Sequence, residues 1–372
     1  MIIAVALVIA YLVPLLFLFG VRRFDLYGTG RFWLNGLALA WGVAAYGLAA
    51  QINPALRNSG LASYETVVRV TGPILEEFLK ALILIYIVRR ADFNYIVDGA
   101  LYGFGAGMGF AMIENTEYVL GHPDSALIVA VARVFSTNLV HATGSGVIGA
   151  ALAYWRGDRS WRGWFAILLG YAFSMPLHMA FNTMVNEGVP LIVAIVYGFI
   201  GLAVIWYAIR RGMNIQKTWV GEKLGMGDRV TNSEAKVAKN IDELDELLEP
   251  IRKEFGKEKA ETVKSIIGKQ AEIGIKRKLM DSAFNEEKRR EIEKVIQSIS
   301  AEMDALRRKA GPYCMMFVRT VYLDQDIKIW DRINLRVESA STGQKGGGLY
   351  DRATARIPRK PAPDSSKEDK NL

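Results

Sequence analysis

The chain is poor in the residues that most hydrolases and secreted domains rely on. Among 372 residues there is one cysteine, Cys314, and three histidines. A single thiol cannot close an internal disulfide, which excludes a disulfide-framed scaffold. Cys314 also lies in a densely charged region, where an inert thiol is the default. No Gly-x-Ser-x-Gly elbow and no His-Glu-x-x-His helix occurs, which disfavours the serine-hydrolase and zincin arrangements that those motifs build. Charge is scarce as well, but only in the first part. Residues 1–211 carry 14 Lys/Arg and 11 Asp/Glu, whereas residues 212–372 carry 32 and 27. An apolar membrane domain followed by a water-soluble region is the implied division.

What the first part does contain is apolar length. Seven segments, at about 2–20, 32–52, 63–88, 95–120, 126–155, 163–185 and 189–209, each supply the roughly 20 residues that a spanning helix needs. The expected fold is an all-α polytopic membrane protein with about seven transmembrane helices. Arg22, Arg23, Arg31, Arg89, Arg90, Arg156, Arg159, Arg162, Arg210 and Arg211 fall in alternate connections. The other connections hold only Arg57, beside His122, Asp124 and Glu187. That asymmetry puts the N-terminus outside and the charged region in the cytoplasm of a multi-pass cell-membrane protein. The first segment begins without a basic n-region, so a retained helix is expected rather than a cleaved signal.

In the charged region, Val237, Ile241, Leu244, Leu248, Ile251 and Phe255 form one stripe, with a break or kink expected at Pro250. Ile292, Ile296, Ile299, Met303 and Leu306 form a second. Both have the spacing of a helical hairpin or coiled coil, which suggests a protein partner or self-association. Residues 315–338 look strand-like, and 339–372, with Gly346-Gly347-Gly348 and dense charge, look disordered. The expected division is therefore 1–211, 212–338 and 339–372. The basic runs at 276–278 and 307–309 are either solvated faces or contacts to anionic lipid.

The informative residues are acids inside the apolar segments. Glu76 and Glu77 are adjacent in the middle of the third, and a carboxylate at that depth costs roughly 2.5–3.5 kcal/mol. Lys80, one turn after Glu76, can pair with one of them, which leaves an excess acid. At 1.5 Å per residue, Glu77 lies about 17 Å, His141 about 21 Å, His178 about 22 Å and Glu114 about 28 Å above the cytoplasmic helix ends. Four consecutive segments thus aim a carboxylate or an imidazole at one layer. Gly103, Gly105, Gly107 and Gly109 permit close helix packing around it. Interhelical hydrogen bonding alone, or an ion or proton transporter, would use the same residue types. A transporter would favour broken helices and an internal repeat; Gly72-Pro73 can break the third segment, but no matching half is visible.

Glu76-Glu77-Phe78-Leu79-Lys80, Phe110-Ala111-Met112-Ile113-Glu114-Asn115, His141 with its trailing glycines, and His178-Met179-Ala180-Phe181-Asn182 resemble, in order, the four motifs of the PrsW intramembrane proteases. That family is distantly similar to the CAAX prenyl endopeptidases and the abortive-infection proteins. The resemblance covers about residues 60–185 and implies a metal-dependent endopeptidase acting on membrane-protein substrates within the lipid bilayer, with no nucleic-acid partner. His141, His178 and Glu114 are then the expected ligands of a divalent ion, zinc first. Glu76 or Glu77 is the expected general base, with Asn182 or Asn115 near the oxyanion. A metal-free route, with a glutamate activating water directly, stays open beside it.

Overall fold

The computed structural model describes residues 1–224, 237–241, 244–283 and 285–323, and among these there are helices and turns but no strand. The membrane part comprises α1 (Ile2–Arg22), α2 (Phe32–Asn58), α3 (Tyr64–Thr66), α4 (Gly72–Ile87), α5 (Ile96–Gly121), α6 (Ala126–Phe135), α7 (Thr137–Gly157), α8 (Trp161–Asn186) and α9 (Leu191–Lys223). Among the described residues, six stretches are long and apolar enough to cross a membrane: α1, α2, α5, Pro123–Gly157, α8 and α9. The chain is a multi-pass membrane protein. The seventh expected segment is helical too, but it is interrupted. Between α3 and α4, residues Val67–Thr71 form a π turn.

Two neighbouring residues explain that interruption. The Gly72 N–H bonds to Val67 O, five residues back, and a Cβ on Gly72 would lie 2.5 Å from that oxygen. Pro73 follows with no N–H at all, so Val68 O, the next acceptor in the π register, loses its backbone donor. Asn182 of α8 replaces it, its Nδ2 donating to Val68 O at 3.0 Å. A freed carbonyl in a bilayer needs such a partner.

Helix α5 is the hub, buried along nearly its whole length and packed by α1, α2, α7 and α9. Its glycines set how near α7 comes. A Cβ on Gly107 would sit 2.3 Å from His141 O, whereas at Gly105, facing α2, the nearest atom would be 3.5 Å away. The close approach of α5 to α7 brings His141 next to Phe110 and Glu114. The expected 126–155 helix is likewise divided, at Ser136 (φ −126°, ψ −82°), into α6 and α7.

Helix α9 continues past residue 211 to Lys223. The charged region then forms α10 (Leu244–Asp281), α11 (Glu286–Ala310) and α12 (Pro312–Leu323). The sharp break in α10 is at Gly256 (φ 82°, ψ 169°) and not at Pro250, because glycine alone takes that left-handed geometry without strain. The second expected stripe is the buried face of α11, through Ile292, Ile296, Ile299 and Met303. Residues 315–323, expected as strand, are helical in α12: β-branched and aromatic residues pack as readily on a helix when tertiary contacts supply the surface. The rest of the strand-like pattern and the expected disordered end at 339–372 lie outside the described residues.

The hydrophobic core runs without a gap from α5 and α7 into α10 and α11. Polar ties reinforce it, with Arg31 bound to Glu272 at 3.1 Å and Lys278 to Glu222 at 3.1 Å. Lys276 is buried, its Nζ donating to Ala91 O and Phe93 O at 2.7 Å each. That basic run is therefore anchored in protein at Lys276 and does not present this residue to lipid. Burial, with Arg156 nearby, pushes the Lys276 amine down to about 7. In the 23–31 connection Asp25 accepts from the Gly28 and Gly30 N–H groups, yet burial raises its carboxyl above the usual range.

Candidate active site

Helices α4, α5, α7 and α8 converge on Glu76, Glu77, Lys80, Glu114, His141 and His178, as the shared height of these residues leads one to expect. The pairing within the cluster differs from the simplest expectation. Lys80 does not neutralise Glu76. Its Nζ lies 2.7 Å from Glu77 Oε1, one turn away at i,i+3, and both side chains are fully buried. Glu76 is thus the acid in excess. It is 15% exposed, accepts from Asn53 Nδ2 at 3.2 Å, and lies 3.7 Å from His178 Nε2.

The imidazole tautomers follow from their neighbours. Lys80 has only donors, and its Nζ is 2.9 Å from His141 Nδ1, so that nitrogen accepts. The His141 proton is then on Nε2, which donates to Glu114 Oε2 at 2.9 Å. At His178 the Nδ1 faces Glu77 Oε1 at 3.1 Å and donates to it, which leaves the Nε2 lone pair directed towards Glu76. Glu77 is therefore a fixed anchor for Lys80 and His178, while Glu76 Oε2 and, in the neutral imidazole, His178 Nε2 face each other as two acceptors 3.7 Å apart. The two imidazole rings meet edge to face, with centroids 4.5 Å apart.

Two such acceptors need a proton, a water or a cation between them. Ligand atoms of Glu76, His141 and His178 all lie within 4.8 Å of one another. Two ligands on one tetrahedral zinc lie roughly 3.3–3.5 Å apart, from bond lengths of about 2.0–2.2 Å, close to the 3.7 Å between Glu76 and His178. Donor type and spacing fit a divalent ion, and the Glu77–His178 contact is the carboxylate–imidazole support that such ligands carry. His141 would have to exchange one of its two present contacts to join. The expected third ligand, Glu114, is held by His141 Nε2 and by Arg133 Nη2, each 2.9 Å from its Oε2.

Of the two asparagines expected near an oxyanion, Asn115 is held at both its nitrogen and its oxygen, donating one amide hydrogen to Asn138 Oδ1 at 2.6 Å and accepting from Arg133 Nε at 2.7 Å. Asn182 uses one amide hydrogen on Val68 O and keeps a second, one turn beyond His178 on α8. Arg133 was not anticipated, although a lone arginine inside an apolar segment is as costly as a lone glutamate and was a legible signal. The contacts of Ser145 and Asn53 to the two glutamates had no sequence signature.

Residues 30–209 match a family described as PrsW family intramembrane metalloprotease. Protease PrsW of Bacillus subtilis (strain 168) is 32% identical over 89 residues, which is 24% of this chain and 38% of that protein. The match thus spans well under half of that curated relative. No solved structure matches.

Proposed function

On the match of residues 30–209 to the PrsW family model, we propose that the chain belongs to that family and is an intramembrane endopeptidase that hydrolyses peptide bonds of membrane-anchored proteins. The observation that carries the reading is the Glu76 carboxylate, without a lysine or arginine partner among the described residues, 3.7 Å from His178 Nε2 and beside a second carboxylate that Lys80 pairs. An acid held in excess next to an oriented imidazole is a place to bind and deprotonate water.

Water held between Glu76 Oε2 and His178 Nε2 loses a proton to Glu76 as its oxygen attacks the scissile carbonyl carbon. Glu76 then passes that proton to the departing amine, which closes the cycle. Glu77 holds His178 in the required tautomer, and the Glu114–Arg133 pair does the same for His141. The second amide hydrogen of Asn182 is the donor placed to receive the developing oxyanion. A divalent ion such as zinc, held by His141 and His178 with Glu76 or, as first expected, Glu114, would supply carbonyl polarisation and a more acidic water. A cytoplasmic charged region, supported by the arginine asymmetry of the connections, belongs to the same proposal, as does a regulatory or partner-binding role for that region.

The test is hydrolysis by the full chain in liposomes with a single-span reporter, in water enriched in oxygen-18. The expected result is two fragments, the new C-terminal carboxyl carrying the heavy isotope. An intact reporter together with proton flux across the same liposomes would replace this reading with a carrier, the class to which a broken third segment also belongs.

A further inference from the structure

A second polar site lies at the opposite end of the bundle from the π turn, where the Arg-rich connections meet the α10–α11 turn. Arg89, Trp155, Arg156 and Arg159 form one wall of a cavity of about 340 Å³, and Leu279 and Lys288 are on the other. Two buried donors on its wall have no acceptor, Arg156 Nη2 and Trp155 Nε1. The rest of the Arg156 guanidinium is fixed, its Nη1 donating to Val88 O and Arg90 O. Both orphan groups can only donate, so the missing partner must bring oxygen lone pairs.

The partner must also be negative. Four cations line the cavity against Glu287 and Glu291, and Glu291 is already bound to Lys288 at 2.6 Å. Burial and the neighbouring Arg89 push the Arg159 guanidinium below its usual range, a sign that positive charge is crowded there. A guanidinium nitrogen left with donors to spare, as Arg156 Nη2 is, favours phosphate oxygens. The height of the site supplies the source. Arg159 stacks on Trp155 at 3.7 Å, Trp155 meets Trp164 edge to face at 5.2 Å, and Trp161 and Trp164 are exposed. Tryptophan and arginine at the end of spanning helices mark the headgroup layer.

We propose that this cavity binds the phosphate group of an anionic ligand, an anionic phospholipid headgroup being the source that its height favours, and so ties α10 and α11 to the membrane domain. The test is native mass spectrometry of the full chain in mild detergent, titrated separately with phosphatidylglycerol and phosphatidylcholine, with a thermal-shift series in inorganic phosphate alongside. Arg156→Gln is a poor probe, because it also releases two backbone carbonyls. The double variant Arg89→Gln/Arg159→Gln alters only exposed side chains. The wild type should hold phosphatidylglycerol at least tenfold more tightly than phosphatidylcholine, and the double variant should lose that preference. Stabilisation by inorganic phosphate that the double variant lacks, without a lipid preference, would keep the site and assign it to free phosphate. No lipid preference and no phosphate effect, or effects unchanged in the double variant, would overturn the proposal.

Discussion

Replacing Lys80 by methionine should destabilise the bundle far more than replacing Glu76. Lys80 and Glu77 are 2.7 Å apart and fully buried, and removing one partner of such a pair costs about 3–5 kcal/mol, because the other charge is left without compensation. Glu77 would retain His178 Nδ1 at 3.1 Å and Ser145 Oγ at 3.5 Å, which puts the expected loss near the lower end, about 3 kcal/mol. Glu77→Gln/Lys80→Met removes both charges and should lose only about 1 kcal/mol, the worth of an ordinary hydrogen bond. The double variant should therefore be about 2 kcal/mol more stable than Lys80→Met alone. Glu76→Gln, at a partly exposed site that lacks a lysine or arginine partner, should stay within about 1 kcal/mol of wild type. Reversible unfolding of the full chain in mixed detergent micelles, followed by tryptophan fluorescence, measures all four proteins. A Lys80→Met loss below about 1 kcal/mol, or a double variant no more stable than Lys80→Met, would refute this division of roles between the two glutamates.

Other changes separate packing, linkage and metal. Gly107→Ala should cost about 2–3 kcal/mol and most of the activity by pushing α7 and His141 outward, whereas Gly105→Ala, with its nearest atom at 3.5 Å, should cost less than about 1 kcal/mol in the same unfolding assay. Lys276 titrates near 7 when folded instead of 10.5, so between those values the native state binds fewer protons than the unfolded one. Its contribution makes stability rise with pH across that window, and the full penalty is present below about pH 7. Lys276→Met should abolish that rise in unfolding midpoints measured from pH 7 to 10. Elemental analysis should find roughly one divalent ion per chain, lost in His141→Ala/His178→Ala, with chelator inhibiting turnover. An active preparation that is metal-free and indifferent to chelator would instead favour direct catalysis by glutamate.

Much of the cluster was legible because charge in an apolar segment is so costly that each instance is informative. Glu76, Glu77, Glu114, His141 and His178 stand out by type and by height, and four helices do bring them together. Partner choice was not legible. Glu76 and Glu77 are both within one turn of Lys80, and only the rotation of α4 against α7 and α8 decides that Glu77 receives it. The π turn was half legible: Gly72-Pro73 announced a break, but Asn182 as its cap depends on where α8 passes. In the charged region the heptad-like stripe of α11 was readable. The Gly256 break was masked by Pro250, the stronger local signal, and the anchoring of Lys276 on Ala91 and Phe93 joins residues far apart in the chain. Buried lysines do not differ in sequence from solvated ones.

The central claim is that Glu76 activates water while Glu77 holds the site together. It is tested most directly by the single-turnover cleavage rate of a membrane-spanning reporter by Glu76→Gln in liposomes, with its unfolding midpoint measured on the same preparation. The expected result is a wild-type midpoint with cleavage reduced by at least about 10²-fold, the lower range for losing a positioned general base. A folded Glu76→Gln protein that cleaves at the wild-type rate would contradict the account.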